Sequence, residues 1–184
     1  MRKVLFIFSN LSDGDIEWLA SVGESRRFTK GSVLIQQGRP ITEIYIVLDG
    51  QLSVSLSSPQ GSRTISTARE GEVVGELSFL DSRPPSASVV AALDTTVLAV
   101  SCDKLRSKLR RDTAFAAKFY RALGVFLADR LRNTTQSLGF GHSSLLRPDE
   151  EAAGEMDPEL LDSLSIAAKR FETLIDLLKN RRVS

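Results

Sequence analysis

The 184-residue chain holds one cysteine, one histidine and one tryptophan, and no apolar run long enough to cross a bilayer. A lone Cys102 excludes an intrachain disulfide and fits a reducing compartment. One Cys with one His cannot assemble a thiolate–imidazole zinc site within a single chain, so no metal is expected. His142 stands in a Gly/Ser-rich stretch with no nucleophile motif beside it, which argues against a Ser–His–Asp triad and against an enzyme. Met1-Arg2-Lys3 followed by Val4–Phe8 begins like a signal peptide. The apolar run is too short for one, and no small-residue cleavage site follows. A cytoplasmic location is the expectation, with no membrane partner. The net charge of +1 gives no bulk attraction to nucleic acid. Arg181-Arg182 reads as a solvated tail.

What the chain does have is texture that changes along its length. Ser12 is a candidate N-cap for a short helix through Ile16 and Leu19, ending near Val22-Gly23. From Phe28 to Val100, short apolar runs are punctuated by Gly, Pro, Asp and Ser. The runs include Val33–Ile35, Ile44–Leu48, Leu52–Leu56, Val73-Val74, Ala87–Val90 and Val97–Val100. Leu52, Val54 and Leu56 alternate with polar residues, which predicts one buried and one wet face. Asp49-Gly50 between two such runs signals a tight turn. Many short strands at this spacing predict an antiparallel roll, sandwich or barrel.

After Val100 the period becomes helical. Cys102 to Arg110 reads as a short helix, with Asp103 near its start and cations near its end, as the helix dipole prefers. A longer helix follows over 113–138, with Phe115, Phe119, Ala122, Leu123, Phe126, Leu127 and Leu131 spaced by threes and fours. Gly139 and Gly141 end it. Residues 139–157 read as a flexible linker. A last helix over 158–180, capped by Asp157 with Pro158 in its first turn, carries Leu160, Leu164, Ala167, Phe171, Leu174 and Leu178 as a heptad seam. That seam needs a cover. The twin helix of a homodimer is the expected one, with the chain's own roll or long helix, or another protein's groove, as alternatives.

The informative stretch is Gly71–Val89. Gly75-Glu76-Leu77 leaves a strand and starts a helical turn, whose backbone N–H groups can hold an anion while the carboxylate grips hydroxyls. With its surroundings, this stretch resembles the phosphate-binding cassette of the cyclic-nucleotide-binding domain superfamily in its catabolite-activator-like form. That cassette is written Phe-Gly-Glu, two or three apolar residues, a spacer, then Pro-Arg-Ala-Ala/Ser-Thr-Val. Upstream, Lys30-Gly31, Gln37-Gly38 and Tyr45–Gly50 match as well, and the resemblance spans about residues 5–138. It implies a mainly β fold: an antiparallel β-roll, or jelly roll, with flanking helices and the domain ending near 138.

The resemblance implies a ligand site as well. Glu76 matches the glutamate that holds a ribose 2′-hydroxyl. Gly75, Leu77 and Ser78 match positions whose backbone faces sugar and phosphate. Ser86 and Ala87 match the small residues after the family's arginine. Pro85 stands where that arginine would be, and it has neither a side-chain donor nor an N–H. Losing a charge-assisted grip on phosphate weakens a cyclic nucleotide by roughly two orders of magnitude or more. Arg83, two residues earlier, is the candidate to swing in, or else a solvated loop residue. The long helix implies a homodimer through 113–138, and Thr134 and Thr135 are the nearest hydroxyls for a base contact.

Catabolite-activator-like proteins add a helix-turn-helix domain after this helix. Here 46 residues follow Leu138 and read as a linker and one helix. That helix begins with Asp157, Glu159 and Asp162, which repel phosphate, so no DNA partner is expected. The preferred reading is a stand-alone, non-enzymatic sensor of a cyclic nucleotide (cAMP or cGMP) or a related anionic small molecule, signalling through its helices. The alternative is a ligand-degenerate adaptor acting through the terminal helix on a protein partner.

Overall fold

The computed structural model describes residues 5–59, 61–139 and 158–181. Two four-stranded antiparallel sheets carry the roll. One runs in the order β1 (Glu24–Phe28), β8 (Thr95–Ser101), β3 (Glu43–Asp49), β6 (Val73–Val74). The other runs β2 (Val33–Ile35), β7 (Ser88–Ala91), β4 (Gln51–Ser58), β5 (Gly61–Arg69). Tyr45, Val47, Val97 and Ala99 of the first sheet pack with Ile35, Leu52, Ala68 and Val89 of the second. Their neighbours Ile44, Ile46, Leu98 and Val100 belong to a separate core under the helices. β3 and β8 are therefore buried on both faces, which is why they read as unbroken apolar runs.

Three details differ from the sequence reading. The roll begins at Glu24 rather than Phe28. β1 is polar (ESRRF) and has no apolar alternation; its register against β8, Glu24 opposite Ala99, makes it a strand. Within β4 the register slips between Val54 and Ser55. That slip turns Ser55 inward and leaves Leu56 exposed, so the alternation of Leu52, Val54 and Leu56 holds for its first two members only. The turn at Asp49-Gly50 is as expected: Gly50 has φ +93°, and a Cβ there would meet the Asp94 carbonyl oxygen at 2.5 Å.

The third difference is the cover of the last helix. The sequence treats Val4–Phe8 only as a failed signal peptide, whereas Leu5–Asn10 is a helix, α1. It is followed by α2 (Asp13–Val22), α3 (Glu76–Asp81), α4 (Cys102–Arg111), α5 (Thr113–Gly139) and α6 (Pro158–Arg181). α6 packs on α1 and α2 of its own chain. Ala167, Leu174 and Leu178 are buried there, with Phe171 packed against the same core. The described part of the seam, from Ala167 to Leu178, is thus covered within the chain rather than by the expected twin helix, because Phe8 of α1 supplies an apolar contact that short-window periodicity does not reveal. Two arginines pin the contact. Arg170 donates to the carbonyls of Phe8 and Ser9 at the end of α1 and pairs with Asp13, and Arg181 donates to the carbonyls of Ala20 and Ser21 at the end of α2.

α2 is tied to α5 by a polar knot. The Asp15 carboxylate accepts from the Ser12 N–H at 2.7 Å, the Ser12 hydroxyl at 2.6 Å and Lys118 Nζ at 2.6 Å. Linker residues 140–157, with His142 and Asp157, and the side chains of Leu138, Leu160 and Leu164 lie outside the described set. Among the described residues, no helix is long and apolar enough to cross a membrane.

Candidate functional site

The two valines of β6 deliver the chain to Gly75, whose φ of +89° turns it abruptly into α3. A side chain at that position would sit strained in the left-handed region and press on Ile35 and Ile41 at 3.3 Å. α3 is fixed from below by Phe79, which meets Phe119 of α5 edge to face at 6.1 Å and carries the Arg106 guanidinium over its ring. The loop after α3 is tied down twice: the Gly38 N–H donates to the Pro85 carbonyl at 2.8 Å, and the Gln37 N–H to the Ser88 hydroxyl at 3.0 Å. The glycine-punctuated β2–β3 connection thus holds the far wall of the site.

Between these elements lies a cavity of about 280 Å³. Gly75, Glu76, Leu77 and Ser78 line it from the start of α3, and Pro85, Ser86 and Ala87 from the loop. Ile35, Val54, Ile65 and Val89 give it an apolar floor and side. Seven of the eight residues singled out from sequence are therefore together. The eighth, Arg83, is not among the lining residues: its side chain is 84% exposed and faces Asp81. Thr135 also stands apart, with its hydroxyl donating to the Leu131 carbonyl within α5.

One residue that the sequence reading missed completes the site. Arg130, on α5, lines the cavity and donates from Nη1 to Glu76 Oε1 at 2.5 Å. Glu76 is 2% exposed. Burial pushes its carboxyl above the usual range, the Arg130 charge pulls it back, and the nearby Glu72 adds to the rise. Removing one partner of a buried pair of this kind costs about 3–5 kcal/mol, because the other charge is left uncompensated. Arg130 also lies over the Phe126 ring, 5.2 Å from its centroid. The available signal was positional. Arg130 follows Phe119 and Phe126 at helical spacing, so it is a cation continuing the buried stripe of α5.

Cys102 is buried, and burial raises its thiol pKa, which makes it unreactive in this setting.

Residues 25–112 match the family model described as a cyclic nucleotide-binding domain. A Cyclic AMP receptor protein of Thermus thermophilus is 29% identical over 133 residues, 72% of this chain and 60% of that protein. A cAMP-dependent protein kinase regulatory subunit of Mycosarcoma maydis is 25% identical over 139 residues, 76% of this chain and 25% of that protein. This chain thus spans less than two thirds of either relative. Among solved structures, a cyclic nucleotide-binding domain from Methylobacillus flagellatus superposes with a TM-score of 0.68 at 26% identity, covering 78% of this chain and 85% of that one.

Proposed function

Because residues 25–112 match the family model of the cyclic nucleotide-binding domain, we propose that this chain is a non-enzymatic regulatory module. It senses a cyclic nucleotide, or a related anionic small molecule, in the cavity of the roll and signals through its C-terminal helices. The observation that carries the reading is the convergence of Gly75, Glu76, Leu77, Ser78, Ser86 and Ala87 on one 280 Å³ cavity. Glu76 takes a ribose hydroxyl; backbone N–H groups of α3 and the Ser86 hydroxyl meet the phosphate. Pro85 adds no donor, so binding is weaker than a loop arginine at that position would give. The module acts in the cytoplasm as a homodimer through 113–138, where Tyr120, Val125 and Leu131 of α5 are exposed.

Titration calorimetry with cAMP and cGMP tests this. One saturable site per chain is expected, with tighter binding by Pro85→Arg. If neither the wild type nor Pro85→Arg binds a cyclic nucleotide, and Glu76→Ala changes nothing, the cavity is not a nucleotide site. The self-satisfied Glu76–Arg130 pair then favours the second reading, a ligand-degenerate adaptor working through α6.

A further inference from the structure

α3 faces two ways. Glu76, Leu77 and Ser78 line the cavity of the roll, whereas Phe79 and Leu80 line a second cleft, of about 290 Å³, between α3, α4 and α5. Leu109 of α4 and Tyr120 of α5 complete its apolar surface, and Arg106 and Arg110 supply its charge. No carboxylate is among the described residues that line it. The Asp81 carboxylate, at the end of α3, is occupied by the Arg83 N–H at 3.0 Å. Arg106 and Arg110 stand one turn apart on the same face of α4. Arg106 is held over the Phe79 ring, 5.2 Å from its centroid, and meets the exposed Asp103 at 3.6 Å. Arg110 is exposed and has no ion-pair partner among the described residues. The helix dipole accounts for a cation in the last turn, as at Arg110. It accounts neither for Arg106 nor for the apolar side chains left open beside it, Leu80 at 39% and Tyr120 at 50% exposure.

We propose that this cleft docks an acidic segment of a protein partner. Two guanidiniums with no carboxylate between them call for an anion, and the open apolar surface beside them calls for more than an inorganic one. A short stretch with one large apolar side chain flanked by Asp or Glu meets both demands. The apolar side chain lies on Leu80, Leu109 and the Tyr120 ring, and the carboxylates take charge-assisted hydrogen bonds from Arg106 and Arg110. Arg106 is already oriented by Phe79, so little side-chain freedom is lost when it binds. The docked segment rests on α3, whose first turn walls the cavity of the roll. Tyr120 also lies on the face proposed for the homodimer, so the arginines of α4 carry the test. The proposal stands independently of the nucleotide reading.

The probe is the fluorescein-labelled peptide Asp-Glu-Phe-Glu-Asp, titrated with the full chain and read by fluorescence anisotropy. Saturable binding is expected at low salt, with a dissociation constant on the order of 10–100 μM. It should weaken severalfold between about 0.05 M and about 0.5 M salt. Two further peptides, Asn-Gln-Phe-Gln-Asn and Asp-Glu-Gly-Glu-Asp, each lack half of the recognised chemistry and are expected to bind about tenfold more weakly. Arg110→Glu is expected to weaken the probe by about tenfold or more, and Arg110→Lys by less. Arg63→Glu, the same charge change at an exposed position on β5, should hardly matter. Circular dichroism and light scattering establish that each variant keeps its fold and mass. Failure of the wild type to bind the probe overturns the proposal. So does equal binding of the neutral or the glycine peptide, or an equal loss in Arg110→Glu and Arg63→Glu. A fall in oligomeric mass for Arg110→Glu makes the cleft a contact between copies of this chain and overturns it too. None of these outcomes bears on whether the cavity of the roll takes a cyclic nucleotide.

Discussion

Phe8 and Phe171 meet edge to face, with ring centroids 5.2 Å apart. The contact joins the first helix to the last, and Arg170 reinforces it by donating to the Phe8 carbonyl. α1 also packs on α5, so it lies between the helix that reaches the cavity and the helix that ends the chain.

Phe171→Asp places a charge in that contact. A loss of about 2–4 kcal/mol is expected in urea unfolding, from lost aromatic packing and a carboxylate facing an apolar surface. Amide hydrogen exchange should accelerate in residues 5–22 and 158–181 while β3 and β8 stay protected. If exchange in α1 and α2 is unchanged, the docking of α6 is not a solution feature.

The Asp15 knot makes stability depend on acid. Burial raises the Asp15 carboxyl, but hydrogen bonds from Lys118 and Ser12 and the Lys118 charge outweigh it and hold the pKa below its ordinary value. A carboxyl whose pKa is lowered on folding contributes stability above its unfolded value, and that stability is lost as pH falls through the folded value. Asp15→Asn should thus destabilise by about 1–2 kcal/mol at neutral pH. It should also flatten the decline in stability below about pH 4. Glu76 acts in the opposite sense: its raised carboxyl favours folding at low pH, and that contribution fades as pH rises through its folded value. Denaturant midpoints across pH 2–7 for the wild type and the Asn variant measure the difference.

Leu131 is 68% exposed on α5. In the proposed homodimer it is covered, so light scattering should give a dimeric mass for the wild type and a shift toward monomer for Leu131→Lys at micromolar concentration. A monomeric wild type would remove 113–138 as the interface.

Much of the roll was readable because its signals are local. Gly50 and Gly75 occupy backbone conformations that favour glycine, and β3 and β8 are apolar on both faces because both faces are buried. The cavity wall was readable because Gly75–Ser78 and Pro85–Ala87 lie close together in one motif. What escaped was non-local. β1 is a strand only because β8 pairs with it. α1 is a helix whose surface is completed by residues more than a hundred positions away. Arg130 enters the site from 54 residues beyond Glu76, and nothing in the motif announces it. The bulge in β4 reversed a face that simple alternation assigned correctly up to Val54.

The placement of α1 also sets an order of assembly. During synthesis α1 leaves the ribosome before α5 and α6, yet the surfaces that shelter Phe8 belong to those two helices. The two sheets have all their strands once Ser101 has emerged, so the roll can close while α1 still waits with an apolar side chain in water. That interval lasts until α6 is made, and it is the period in which a nascent chain of this protein offers chaperones, or another nascent copy, something to hold.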